Sequence, residues 1–199
     1  MAELYRVMVH DPVEVGWEDD SFTEGWTATQ VDISRDGDII TLTVQTGYTS
    51  GYIEKTGLSV DASIYPYMIV CLKGDGDYRI SVYDGAWREV QGWTAAPTDY
   101  EVKMYNLSSI TTGNITAIRL HAGQTAGKKA WYDFAAFSKA QPQTIQDVIE
   151  IRVHQRESDL DTFELLKDGN EEPLTIGHYI RIWLNAIKVF AGVIEMLTP

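Results

Sequence analysis

The sequence contains little cysteine and little positive charge. Its one cysteine, Cys71, has no partner for an internal disulfide, and it stands in an apolar stretch, which indicates a small buried side chain rather than a nucleophile. The 16 Lys and Arg residues are outnumbered by 29 Asp and Glu residues, which gives a net charge of −13. Such a chain is a poor partner for nucleic acid, because binding to phosphates needs a basic surface. The excess carboxylates are better suited to a hard cation such as calcium.

Long apolar runs are also missing. No stretch is long enough to span a membrane, so we expect no membrane insertion. Met1 to His10 carries no apolar segment of the kind found in a signal peptide. If the protein works outside a cell, we expect it to get there without a leader visible in this sequence.

Motifs for catalysis, or for metal binding by histidine, are absent as well. The 4 histidines are dispersed without metal-binding spacing, and no Gly-x-Ser-x-Gly sequence occurs. Asp32 to Asp38 resembles the start of an EF-hand loop, but Thr43 stands where the bidentate glutamate is needed. Gly123 to Lys129 resembles a phosphate-binding loop that is one residue too short. We therefore predict a protein that is not an enzyme. Only a glycosidase pair stays open, because it needs no more than two acids about 5–10 Å apart.

The longest run of strand signals lies between Tyr65 and Leu107. Apolar and β-branched residues, or alternation of apolar with polar residues, predict three strands there, at Tyr67–Leu72, Tyr78–Val82 and Tyr100–Met104. Between the second and third strands we predict a loop that carries Trp87 and Trp93. Two large aromatic side chains beside such connections favour a surface that binds a ligand over one that catalyses a reaction.

Further strands are predicted on both sides of this run. They are Leu4–Val9 as a first edge strand, Thr27–Ile33, Ile40–Val44, Ile115–Leu120 and Ala130–Phe137. Asp36-Gly37 predicts a hairpin turn, and Gly47 to Gly57 is predicted to be a loop that carries Tyr48 and Tyr52. Short strands at fairly regular spacing favour an all-β protein, a β-sandwich or jelly roll.

The segment Ala140-Gln141-Pro142-Gln143 is predicted to link two domains. Beyond it, alternation predicts strands at Ile149–Val153, Phe163–Leu165 and Ile180–Leu184. Residues 187–197 also fit a helical stripe, but β-branched residues and Gly192 favour a strand. We thus predict a jelly-roll domain over residues 1–140, with residues 1–16 as its leading strand, and a small or truncated β module over residues 141–199.

Residues 17–138 resemble the galactose-binding-like jelly rolls found in many carbohydrate-binding modules. The resemblance rests on five short segments: Phe22-Thr23-Glu24-Gly25-Trp26, Tyr67-Met68-Ile69-Val70, Tyr83-Asp84-Gly85, Gly92-Trp93 and Trp131-Tyr132-Asp133-Phe134. It implies a jelly-roll fold, glycan binding through aromatic side chains on loops, and a structural calcium ion near the first and last strands.

Residues 147–197 look like the opening of a phage tail or baseplate-hub β domain. This second resemblance rests on Phe163-Glu164-Leu165, on Ile176-Gly177 before Ile180-Arg181-Ile182, and on Phe190 to Glu195. Together the two resemblances imply a virion or extracellular protein, a tail component that recognises a cell-surface polysaccharide. The alternative is a structural virion protein whose jelly roll mediates contacts with other tail subunits.

The predicted ligand site is a stacking platform centred on Trp87, with Trp93, Tyr48 and Tyr52 as neighbours. Sugar C–H faces are apolar and pack flat on an exposed indole, while Asp84 or Arg88 would orient hydroxyl groups. The alternative is that these rings anchor loops or the core. Two further tryptophans, Trp26 and Trp131, are assigned to the core.

The predicted structural calcium site draws on Glu18, Asp19, Asp20 and Asp133. Asp133 interrupts an aromatic strand, where a lone charge is costly unless it is paired or coordinated. Calcium accepts about 6–8 oxygen ligands, carboxylates among them. The alternative is a solvated acidic turn with Asp133 facing water.

Overall fold

The structure, a computed structural model, describes the backbone of residues 5–10, 25–36, 39–111, 113–139, 143–145, 148–154, 162–167, 179–184 and 187–193. Side chains are described for residues 25–36, 39–111 and 113–139. The chain divides into two compact units, Val13–Ala140 on the one hand and Met1–Pro12 with Gln141–Pro199 on the other.

The strands, in chain order, have the following bounds. They are β1 (Tyr5–His10), β2 (Trp26–Thr29), β3 (Val31–Asp36), β4 (Ile39–Val44), β5 (Ser50–Asp61), β6 (Tyr67–Gly74), β7 (Asp77–Tyr83), β8 (Trp87–Ala95), β9 (Glu101–Asn106), β10 (Asn114–Gly123), β11 (Lys129–Ser138), β12 (Gln143–Ile145), β13 (Val148–His154), β14 (Thr162–Lys167), β15 (Tyr179–Leu184) and β16 (Ile187–Val193). A single 3₁₀ turn, Leu107–Ser109, is the one helical element among the described residues. No described helix has the length and apolar character needed to cross a membrane.

The unit Val13–Ala140 is a β-sandwich of two five-stranded antiparallel sheets. The first sheet has the strand order β2-β5-β10-β7-β8, and the second has the order β3-β4-β11-β6-β9. Alternate residues of both sheets point inward and form the core, which includes Leu42, Ile53, Met68, Ile80, Leu120 and Tyr132. This architecture confirms the predicted all-β, jelly-roll fold.

Several predicted strands occur close to their expected bounds, but three predictions about local structure are wrong. The single strand expected at Thr27–Ile33 is two strands, because Gln30 has a φ of 60° and the chain there passes from one sheet to the other. The loop expected at Gly47–Gly57 is largely strand β5. Position 51, within β5, requires glycine, because a Cβ there would stand 2.5 Å from the carbonyl oxygen of Thr29.

The third error concerns the aromatic loop expected between Asp84 and Trp93. Most of it is strand β8, which pairs with β7 alone and forms one edge of the first sheet. Register shifts between Tyr78 and Ser81 mark bulges in this pairing. Because β8 is bulged and rich in polar residues, its sequence lacks the alternation of apolar and polar residues from which the neighbouring strands were predicted.

The other unit is described by its backbone. Strand β1, expected as an edge strand leading the first domain, pairs on both sides in a four-stranded sheet of order β12-β1-β15-β16. Strands β13 and β14 form an antiparallel hairpin. Ile187–Val193 is a strand, as preferred over the helical alternative, and residues 194–197 lie outside the described residues.

Candidate functional site

The outward side of the first sheet carries aromatic and charged side chains at neighbouring positions. On β10, Ile118 and Leu120 are fully buried, and Arg119 alternates with them toward the other side of the sheet. Pairing places Arg119 opposite Glu54 and Ser81, and His121 opposite Tyr52 and Arg79. The outer face, as we call this surface, consists of Tyr52, Glu54, Arg79, Ser81, Tyr83, Trp87, Glu89, Trp93, Arg119 and His121.

The indole of Trp87 lies on this face next to a guanidinium group. Trp87 is 36% exposed, and the Cζ atom of Arg119 lies 3.8 Å from the ring centroid. Tyr83, its partner across the β7–β8 pairing, meets the indole edge-on with ring centroids 5.3 Å apart. One side of the indole is thus held by a cation–π contact and its edge by a second ring.

Arg119 connects Trp87 to a second aromatic ring and to an acid. Its Cζ atom lies 4.3 Å from the ring centroid of Tyr52, and its Nε atom donates to Glu54 Oε2 at 2.7 Å. The Arg119 and Glu54 side chains are 25% and 20% exposed. This partial burial strengthens the pairing relative to a surface ion pair and fixes the guanidinium under the aromatic rings.

Trp93 occupies a different part of the outer face. It is 43% exposed, and its ring rests on Gly123, where a Cβ would stand only 2.4 Å from a ring carbon. The ring also meets His121 edge-on, with centroids 5.6 Å apart. Glycine at position 123 is therefore what allows the indole to lie against the sheet.

His121 forms the floor between Trp93 and Tyr52. His121 is only 7% exposed, and the centroids of its ring and the Tyr52 ring lie 5.2 Å apart. Burial, followed by the charges of Arg79 and Arg119, lowers the pKa of His121 to about 3, so the imidazole is neutral at ordinary pH. The Nε2 atom is closed to solvent and has no hydrogen-bond partner among the described residues.

The remaining charges of the site are paired. Arg79 Nε lies 2.9 Å from Glu89 Oε2, although without the alignment of a hydrogen bond. Asp84 accepts from Arg88 Nε at 3.0 Å and from the hydroxyl of Thr111. The Thr111 hydrogen bond, with Arg88 contributing, lowers the pKa of Asp84. These contacts make Asp84 an anchor of the turn between β7 and β8, directly before Trp87.

The structure brings together three of the predicted ligand-binding residues, Trp87, Trp93 and Tyr52. Tyr48 lies just before β5 and is 44% exposed, at the end of the sheet where Ser50 pairs with Gly123. Asp84 and Arg88 pair with each other. The rings lie outside the core, and their role in binding stays a prediction.

Sequence reasoning missed the polar members of the outer face, chiefly Arg119, His121 and Glu54. A usable signal was present on β10, where Arg119 and His121 alternate with fully buried Ile118 and Leu120. Two large polar residues at alternate positions of a buried strand mark a face that packs on something other than the core.

Two tryptophans were assigned to the core. Trp26 is partly buried and packs against the core, as expected. Trp131 is not a core residue: it pairs with Thr41 and Lys73, on the side opposite to Tyr132, and the Lys73 ammonium lies 5.5 Å from its ring centroid. The strand is buried on both faces only from Tyr132 to Ser138, and Trp131 lies at its less buried start.

The predicted calcium site falls mostly outside the described residues, since Glu18, Asp19 and Asp20 are not among them. Asp133 is described and is buried, 6% exposed, rather than facing water. Within the part of the chain that the structure describes, no cluster of three or more His, Cys, Asp or Glu side chains is arranged to hold a metal ion. Calcium binding stays a prediction.

The fold is similar to that of known carbohydrate-binding modules. A variant of the family 29 module CBM29-2 matches with a TM-score of 0.50 and 14% sequence identity, over 70% of this chain and 88% of that chain. A second CBM29-2 variant, complexed with cellulohexaose, matches with a TM-score of 0.50 and 14% identity, over 69% of this chain and 92% of its own. No protein-family model matches the sequence, and neither does any curated protein. At 14% sequence identity, the structural similarity shows the fold alone.

Proposed function

We propose that the protein binds carbohydrate without catalysis, on the outer face of the first sheet. The observation that carries this proposal is the pair of exposed indoles, Trp87 and Trp93, which lie on one face and are each held in place by a neighbouring group. An indole ring presents a flat apolar surface to the C–H side of a sugar ring. Because the Trp87 ring is already ordered by Arg119 and Tyr83, less conformational entropy is lost on binding.

The polar groups beside the rings suit sugar hydroxyl groups. Glu54 offers acceptors, Arg119 and Arg79 offer donors, and all three lie on the same face as the indoles. Both glutamates of the face are engaged by arginines, an arrangement that favours binding over acid–base chemistry. The similarity in fold to a module that was complexed with cellulohexaose adds support.

The biological setting is proposed from sequence resemblance alone. The likeness of residues 147–197 to a tail or baseplate domain supports a tail component that contacts a cell-surface glycan. The rival is an assembly protein whose sandwich binds other subunits rather than sugar. An exposed aromatic face with paired polar groups favours the first over the second.

A glycan array tests the proposal, with calorimetric titration of any hit. We expect Trp87→Ala and Trp93→Ala to reduce binding to a small fraction of that of the unmodified protein. The matched control is Trp131→Ala, which removes a partly buried tryptophan with a lysine at its ring but on the other sheet. Absence of any glycan hit, together with self-association of the protein, would instead support the assembly role.

A further inference from the structure

Two buried polar atoms of the outer face, Arg79 Nε and His121 Nε2, form no hydrogen bond with a described residue. The Glu89 Oε2 atom lies 2.9 Å from Arg79 Nε and balances its charge, whereas His121 Nε2 has no such neighbour among the described side chains. A buried polar atom left unpaired destabilises the folded state. Leucine or phenylalanine would fill the same space without that cost, so a histidine here calls for another explanation.

Trp93 and Tyr52 cover this histidine. The Trp93 ring contacts the edge of the imidazole and rests on Gly123, and it belongs to β8, a strand hydrogen-bonded on one side only. An edge-strand side chain that is 43% exposed can tilt on the sheet with little disturbance of the core. Such a movement would open Nε2 to whatever lies on the outer face.

We propose that His121 is a specificity-determining residue of the glycan site, whose Nε2 forms a hydrogen bond with a ligand hydroxyl group when the Trp93 ring tilts away from the imidazole and keeps its exposed side against the sugar. This inference rests on the proposed carbohydrate binding and deepens it. The ligand is a polyhydroxylated sugar, because a hydroxyl both donates and accepts and therefore satisfies Nε2 in either tautomer. A carboxylate or an ammonium group would fit only one tautomer.

The neutrality of the imidazole agrees with this role. Arg79 and Arg119 flank His121 on paired positions of β7 and on the same strand, and Glu54 and Glu89 in turn balance those arginines. A charged imidazole among two arginines would be repelled, whereas a neutral one keeps its ring nitrogen available for a hydroxyl.

The test measures stability and affinity in the same variants. His121→Leu removes the unpaired atom at similar volume, so we expect the melting temperature to rise by roughly 2–6 °C. The same change removes a hydrogen bond to the ligand, so we expect affinity for the strongest array hit to fall roughly 5- to 10-fold. His121→Gln keeps a donor and an acceptor and is expected to retain more affinity than His121→Leu.

The Trp93→Ala variant tests whether Trp93 shields His121 from solvent. Trp93→Ala exposes Nε2 to water, so His121→Leu is expected to give no gain in melting temperature when Trp93 is absent. Opposite effects on stability and affinity distinguish a ligand-binding residue from a packing residue.

Two results would overturn the inference: a His121→Leu protein that is less stable than the unmodified one, or one that binds the glycan equally well. Both are distinct from failure of the proposed function, in which the unmodified protein binds no glycan at all.

Discussion

The contact between Arg119 and Trp87 gives a quantitative prediction for stability. Arg119→Met keeps a long apolar side chain but removes the guanidinium that lies 3.8 Å from the Trp87 centroid. A cation–π contact contributes about 0.5–1 kcal/mol when exposed and about 2 kcal/mol when desolvated. Since Arg119 is 25% exposed and Trp87 is 36% exposed, we expect a coupling free energy near 1 kcal/mol between them.

The assay is a double-mutant cycle measured by urea unfolding. Arg119→Met also leaves Glu54 without its 2.7 Å partner, so the single change is expected to lower the free energy of unfolding by about 1–3 kcal/mol. In the Arg119→Met background, Trp87→Ala should then lower the free energy of unfolding by about 1 kcal/mol less than it does in the unmodified protein. Additivity within about 0.3 kcal/mol would refute the reasoning, because it would mean that the two side chains do not interact in solution.

The same substitution should weaken glycan binding. Without Arg119 the Trp87 ring must be ordered by the ligand, at a cost of about 0.5–1.5 kcal/mol, which corresponds to a loss of roughly 2- to 12-fold in affinity. Lys73→Met is the control, since Lys73 lies 5.5 Å from the Trp131 ring centroid on the other sheet. Equal loss of affinity in both variants would contradict a role specific to the outer face.

Three further predictions address single features. Gly123→Ala places a Cβ 2.4 Å from the Trp93 ring, so it should displace that indole and weaken glycan binding in calorimetry, whereas Gly113→Ala, with nothing nearer than 3.6 Å, should not. The pKa of Asp84 is lowered in the fold, so its carboxylate stabilises the protein above the unfolded pKa and that contribution is lost as pH falls through the folded value. Asp84→Asn should therefore reduce the difference in urea midpoint between pH 6 and pH 3, and an unchanged difference would argue against this role. If the predicted calcium site is real, EDTA should lower the melting temperature and added calcium should restore it, while no shift would remove that prediction.

Much of the sandwich could be predicted from local patterns. The alternation of Tyr78, Ile80 and Val82 predicted a strand that is present, and the hairpin predicted from Asp36-Gly37 agrees with the pairing of Val31–Asp36 with Ile39–Val44. These signals lie within a few residues of one another. The segments that failed were those in which a distant contact decides the local conformation, as at Gly51, whose packing requirement comes from Thr29 in another strand.

The candidate site also depends on contacts between residues that are distant in sequence. Trp87 and Trp93 were identifiable because large aromatic residues stood among polar ones. Their partners were not, since Arg119 and Glu54 are 65 residues apart in the chain and meet only through the pairing of β10 with β5. Sequence patterns thus selected Trp87 and Trp93 as candidates but misassigned Trp131 to the core, whereas the strand register determined which charges lie beside the rings.

The most direct test of the account is to locate a bound glycan on the protein by nuclear magnetic resonance. Titration of the isotope-labelled chain with an array hit should shift the indole N–H signals of Trp87 and Trp93 and the backbone amides of β7, β8 and β10. The Trp131 indole, on the second sheet, should remain unshifted. Shifts confined to β6, β9 and β11, with the Trp87 and Trp93 signals unchanged, would contradict the central claim that the outer face of the first sheet is the sugar-binding surface.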